Sequence, residues 1–231
     1  METYFNHPWN LSEEEAVKLQ QKLAAKVIKE DLFNSIKYVA GVDVAYSESS
    51  DKLVAGVVIL ESDSLKLIES VVIEDTVQFP YISGLFSFRE LPPIVKAFKQ
   101  IKTTPDLIVC DGQGIAHPRR LGLASHLGVL FDIPAIGCGK TRLVGEFKEP
   151  ESKRGSYSPL IDNDEIIGSV LRTQENIKPI FVSIGHRISL TTACKWILNL
   201  SPKYRLPETT RLPDQLVNKA LANIPNNPNP K

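Results

Sequence analysis

Apolar residues recur along this chain in two rhythms. From Ser12 the rhythm is helical: Ala16, Leu19, Leu23 and Val27 fall three or four positions apart, and Ser12 with Glu15 forms a capping-box pattern. An amphipathic helix is therefore predicted over 12–30. Three strand-sized runs follow, KYVAGVDVAYS from Lys37, LVAGVVILES from Leu53 and LIESVVIEDTV from Leu67, parted only by the polar turns ESSDK and SDS. Turns this short imply an antiparallel meander.

Helical spacing returns over Ile94–Ile101, and Pro105 then introduces DLIVCDG, a continuous apolar run of the kind buried in a parallel sheet. His117–Phe131 reads as a helix and PAIGCG from Pro134 as another short buried strand, which gives the strand, helix, strand alternation of a parallel unit. A further strand pair is expected at IIGSVLRT from Ile166 and PIFVSIG from Pro179, with helices over Leu190–Leu200 and Asp214–Ile224. The pattern is that of an α/β chain with a mixed sheet, one domain over 1–224. After Ile224 only Asn, Pro and Lys remain, too little apolar surface to offset the entropy of ordering, so 225–231 read as a flexible tail.

Composition narrows the picture by exclusion. The longest apolar runs are interrupted by charge well short of the ~18–20 residues a membrane helix requires. METYFNHPWNLSEEE has neither the basic start nor the apolar core of a secretion signal, so a cytoplasmic protein is expected. Three cysteines with no C-x-x-C pair argue against a disulfide framework and against a thiolate zinc site. A net charge of zero exerts no global pull on a polyanion, so any nucleic acid would be held by a local basic patch.

Three carboxylates then stand out. Asp43 sits inside the strand-like GVDVAYS between small neighbours, Gly41 and Ala45, on its own face, where an unpaired charge would be costly. Asp111 closes a buried parallel strand, the edge where open α/β sheets bind ligands, although Asp-Gly is also a common turn pair. Glu90 follows Ser87 at capping-box spacing, while Pro92 and Pro93 would fit a first helical turn and so start the helix after Glu90. If the three converge, their repulsion calls for a hard cation, and oxygen-only ligands suit Mg²⁺ or Mn²⁺. Such ions serve in-line attack on a phosphodiester. In DGQGIAHPRRLG the glycines Gly112 and Gly114 would allow close approach of a ligand, and Arg119, Arg120 and Lys140 would meet phosphate; for the two arginines a solvated helix face is the alternative. GCGKT is not a P-loop, since the spacing demands glycine where Pro134 stands.

These segments resemble the endonuclease V family. The resemblance rests on GVDVAYS, on PYISGLFSFRE from Pro80, on DGQGIAHPRRLGLASHLGV from Asp111, and on GCGKTRLVGEF, SIGHRIS and KYRLPETTRLPD, together spanning about Asp43 to Asp214. It implies an RNase H-like fold, a five-stranded mixed sheet with its first three strands antiparallel, flanked by helices. It also implies a Mg²⁺-dependent nick at the second phosphodiester 3′ to deoxyinosine, leaving 3′-hydroxyl and 5′-phosphate ends. On the same ground Asp43, Glu90 and Asp111 match the metal ligands, with Asp214 a further acidic residue near them, and His117 and Lys140 match auxiliary active-site residues. Pro80, Tyr81, Ile82 and Ser83 match a strand-separating wedge whose usual fourth residue is a second proline. Gly84, Leu85, Gly114 and Gly122 would build the pocket for the extruded base. The implied partner is damaged DNA, bound by a monomer. Two other readings remain at this point: cleavage of inosine-containing RNA, because no motif reports on a 2′-hydroxyl, and a non-cutting reader of damaged DNA.

Overall fold

The computed structural model describes residues 1–224, and the expected tail over 225–231 lies outside them. The meander forms as β1 (Tyr38–Tyr46), β2 (Lys52–Glu61) and β3 (Leu67–Thr76), paired antiparallel. β4 (Leu107–Cys110) and β5 (Ala135–Gly139) add in parallel beyond β1. These are the five strands anticipated. The sheet continues, however, through β8 (Ile180–His186), β7 (Glu165–Leu171) and β6 (Tyr157–Asp162), so among the described residues eight strands form one sheet in the order β3-β2-β1-β4-β5-β8-β7-β6. β7 and β8 are the further strand pair that was expected. β6 was not, because Pro159 sits in its middle, a residue tolerated only where a strand has a free edge.

Helices cover both faces. α2 (Phe86–Gln100) and α3 (Leu123–Phe131) pack on the face formed by Ala40, Val42, Val57, Ile59 and Ile108. α4 (Leu190–Leu200) and α5 (Glu208–Ala222) cover the other, α4 over Leu107, Ile136 and Val182, α5 over Ala45 and Val54. α5 lies against the backbone of β1, since a Cβ at Gly41 would run into the Thr209 carbonyl. Burial on both sides explains why β1 and β2 are apolar almost throughout. No described helix is long and apolar enough to cross a membrane.

Four helix boundaries differ from the sequence pattern. α1 (Glu13–Ala24) has the Ser12 and Glu15 capping box but stops at Ala24. Beyond it, the Ile28 N–H donates to His186 Nδ1 at 3.2 Å and the Ile28 carbonyl accepts from the Arg187 N–H at 2.8 Å, so tertiary partners replace helical ones. α2 begins at Phe86 rather than after Glu90, and it carries Pro92 and Pro93 inside, forgoing two N–H donors. α3 begins at Leu123, not His117. Arg120 is left-handed with φ 56° in the intervening loop, and Gly122 caps the helix where a Cβ would strike the Gln113 carbonyl. α5 begins at Glu208, which places Asp214 inside the helix and removes it from any capping role.

Candidate active site

The site forms where parallel strands end. Asp43 and Asp111 each lie one residue past Val42 and Cys110, the last bridged pair of β1 and β4, so the register sets their carboxylates side by side. Glu90 comes from α2 and is buried; the Tyr46 hydroxyl donates to its Oε1 at 3.3 Å. Asp214 approaches from α5, on the sheet face that Asp43 shares with Gly41 and Ala45.

The four groups feel one another. Burial, with Asp111 and Asp214 adding negative charge, raises the Asp43 carboxyl to about 6. Glu90 is held well above the usual carboxylate range, first by burial and then by Asp43 and Asp111. A hard cation would relieve this repulsion, and the donors are all oxygen. Among the described residues no three His, Cys, Asp or Glu side chains stand close enough to enclose an ion, and Asp111 is engaged instead by the Lys140 ammonium, 2.5 Å from Oδ2. Lys140 follows β5 directly. Burial opposes its charge, but Asp111, with Asp43 and Asp214 behind it, outweighs burial and keeps the ammonium above its ordinary range. In charge and ligand chemistry the residues present fit a divalent metal.

His117 is buried, and burial together with the Arg119 and Arg120 charges lowers its pKa to about 4. It is neutral at pH 7. Nδ1 accepts from the Arg119 backbone N–H at 3.2 Å, so the ring proton resides on Nε2. The two arginines are not on a helix face. Arg119 donates through Nε to Gln20 Oε1 and through Nη2 to the Gly84 carbonyl at 2.8 Å. Gln20 Nε2 also donates to that carbonyl, at 2.9 Å, so the turn at Gly84 is tied from two sides. Arg120 bridges Asp162 and Glu165 at 2.9 and 2.7 Å. Both guanidinium groups are committed to other parts of the chain.

A cavity of about 420 Å³ adjoins the carboxylates and shares Asp111 and Lys140 with them. Tyr81, Ile82, Ser83 and Gly84 form one wall and Gly122 another. Tyr81 is 73 % exposed and meets Phe86 edge to face, with ring centroids 6.2 Å apart. Pro80 is exposed to solvent; Leu85 is buried with Phe79 and Phe88; Gly114 packs on β8, its N–H donating to Ser183 Oγ at 2.8 Å. None of these three, nor Arg119, lines the cavity. Phe86, Ser87, Gln113, Arg142 and Leu143 do, and sequence reasoning had not singled them out. For Gln113 the flanking glycines of DGQG were the available signal; for Ser87 the capping-box spacing pointed elsewhere.

Comparison with known proteins gives one consistent result. The family model described as Endonuclease V matches residues 21–215. A protein named Endonuclease V from Nostoc sp. is 50 % identical over 217 residues, covering 94 % of this chain and 98 % of its own. The crystal structure of Endonuclease V from Streptomyces avermitilis superposes with a TM-score of 0.89 at 44 % identity, covering 93 % of this chain and 95 % of that one. Endonuclease V of Ciona intestinalis, solved with a 23mer DNA containing an inosine followed by a ribo-adenosine, superposes with a TM-score of 0.84 at 29 % identity, covering 93 % and 100 %.

Proposed function

The chain belongs to the endonuclease V family, and from that premise we propose that it is a DNA repair nuclease that nicks the second phosphodiester 3′ to deoxyinosine and related deaminated bases. The products would carry 3′-hydroxyl and 5′-phosphate ends. One observation carries the reading: a cavity large enough for a base shares Asp111 and Lys140 with the cluster of Asp43, Glu90 and Asp214. A nucleotide held there lies within reach of groups suited to cutting its own strand.

The chain's residues divide the work. Tyr81, exposed and backed by Phe86, can enter the gap left in the stack. Extrusion costs a few kcal/mol, less for a weakly paired base, and stacking on an aromatic ring returns about 1–3 kcal/mol. Pro80, Ile82 and Ser83 shape this wedge, while Arg119 and Gln20 hold the Gly84 turn beneath it. Asp43, Glu90 and Asp111, with Asp214, would hold Mg²⁺, or Mn²⁺ in its place. Bound there, a divalent ion makes water a stronger nucleophile and steadies the leaving oxygen. Lys140 offsets phosphate charge at the mouth of the cavity. His117, neutral at pH 7, contributes an N–H rather than a positive charge and braces the loop that carries Arg119. The protein would act as a monomer in the cytoplasm.

The test is a nicking assay on a duplex with one deoxyinosine. Cutting at the second 3′ phosphodiester is expected with Mg²⁺ and not with EDTA, and little with an undamaged duplex. A matched RNA strand measures the ribonuclease alternative in the same experiment.

A further inference from the structure

Ser87 lines the cavity from the first turn of α2, yet the carboxylate chemistry makes no use of it. Its hydroxyl does not cap the helix either. Its Oγ lies 3.0 Å from Nδ1 of His126; Nε2 of His126 is 2.8 Å from Nε2 of His7; and Nδ1 of His7 is 2.8 Å from the Pro8 carbonyl oxygen. Ser87 is 3 % exposed and His126 fully buried. The row thus joins α2, α3 and the N-terminal segment, which lies ahead of the part matched by the family model.

The protons in this row can be assigned one by one from its far end. A carbonyl only accepts, so His7 Nδ1 carries a hydrogen. Burial keeps His7 neutral at pH 7, and burial with His7 alongside does the same more strongly for His126. Each ring therefore has a single N–H. With its hydrogen on Nδ1, His7 accepts at Nε2; His126 must then donate from Nε2, which leaves its Nδ1 as an acceptor. Among the described residues, the hydrogen available to that nitrogen is the Ser87 hydroxyl's. Packing holds the rings in this order: His7 and His126 stack with centroids 5.0 Å apart, Trp9 lies 4.3 Å from His7, and Phe88 meets His126 edge-on at 5.0 Å. The Ser87 hydrogen points away from the cavity, and its lone pairs remain for whatever the cavity holds.

Resting on the reading of the cavity as the base pocket, we propose that Ser87 is a specificity-determining residue: a fixed acceptor for the ring N–H that deamination creates. Adenine N1 and cytosine N3 are acceptors; hypoxanthine N1 and uracil N3 carry hydrogen. A fixed acceptor pairs with hypoxanthine and uracil and faces the lone pair of their parents adenine and cytosine, and a site built for such a hydrogen bond rejects a ligand that lacks it far better than shape alone does. His126 and His7 are positioning residues that act through the Ser87 hydroxyl.

The proposal is tested by binding of the full chain, without divalent metal, to duplexes bearing deoxyinosine or deoxynebularine, a purine without the N1 hydrogen. Ser87→Ala is expected to weaken deoxyinosine binding about tenfold, the size of one well-made hydrogen bond, and deoxynebularine binding less than twofold. Equal weakening of both, or none for deoxyinosine, overturns it. If the wild-type chain failed to separate deoxyinosine from deoxyadenosine, the function proposed above would fall instead. Independently of any substrate, imidazole ¹⁵N spectra should show His7 protonated on Nδ1 and His126 on Nε2; a His126 proton on Nδ1 overturns the assignment.

Discussion

The side of the site proposed to cut and the side proposed to read are built in opposite ways. Asp43, Glu90 and Asp214 sit on strands and helices, and Asp111 at the end of one, where regular backbone fixes them against their mutual repulsion. The wedge and the Gly84 turn have no such frame. They are irregular chain held by side chains, with the Gly84 carbonyl accepting from both Gln20 and Arg119. Charges that repel need a rigid frame to stay together, whereas a surface that meets a distorted duplex gains from loops tied at a few points. Disturbing one side should therefore change rate, and disturbing the other should change binding.

The largest expected effect tests that division directly. Asp43→Ala or Asp111→Ala should lower single-turnover nicking at least about a thousandfold, as removal of key catalytic groups does, with deoxyinosine binding within tenfold of wild type in a gel-shift assay. Comparable losses in both would merge the two sides. Next in size, Tyr81→Ala should weaken lesion binding by roughly ten- to a hundredfold, the worth of one stacked base, and leave nicking at saturating enzyme largely intact. Arg119→Ala, which unties one side of the Gly84 turn, should weaken lesion binding about tenfold and cost about 1–3 kcal/mol of stability in urea unfolding, because Gln20 loses a buried partner.

The smallest effect sharpens the electrostatic half. The Asp43 carboxyl binds its proton more tightly in the folded chain, at about 6, than at its ordinary 3.8. The stability this contributes is present below about pH 4 and lost as pH rises through about 6. Asp43→Asn should therefore raise the melting temperature of the metal-free chain by a few degrees at pH 8 and by little at pH 4, a difference that calorimetry would measure.

What the sequence revealed follows the same division. β1 to β5 and α4 were legible because hydrophobic period and turn chemistry are local. Asp43 and Asp111 were legible as positions because strand ends are local too. The placement of Glu90 was not. Glu90 was expected at a helix entrance yet lies inside α2, since nothing in SFRELPP announces that the helix accepts both prolines. Arg119 and Arg120 were read as phosphate contacts, but Gln20, Gly84, Asp162 and Glu165, distant in the chain, claim them. Ser87 was hidden for the same reason, its partner being a histidine 39 residues away.

Ser87 and Glu90 stand on neighbouring levels of α2, separated by three residues or about 4.5 Å of helical rise. One rod thus touches both the chamber proposed to hold the base and the anionic cluster assigned to hydrolysis. On the proposed reading, the spacing between the held base and the severed bond would be set by a built-in ruler that stretches only if the helix itself unwinds.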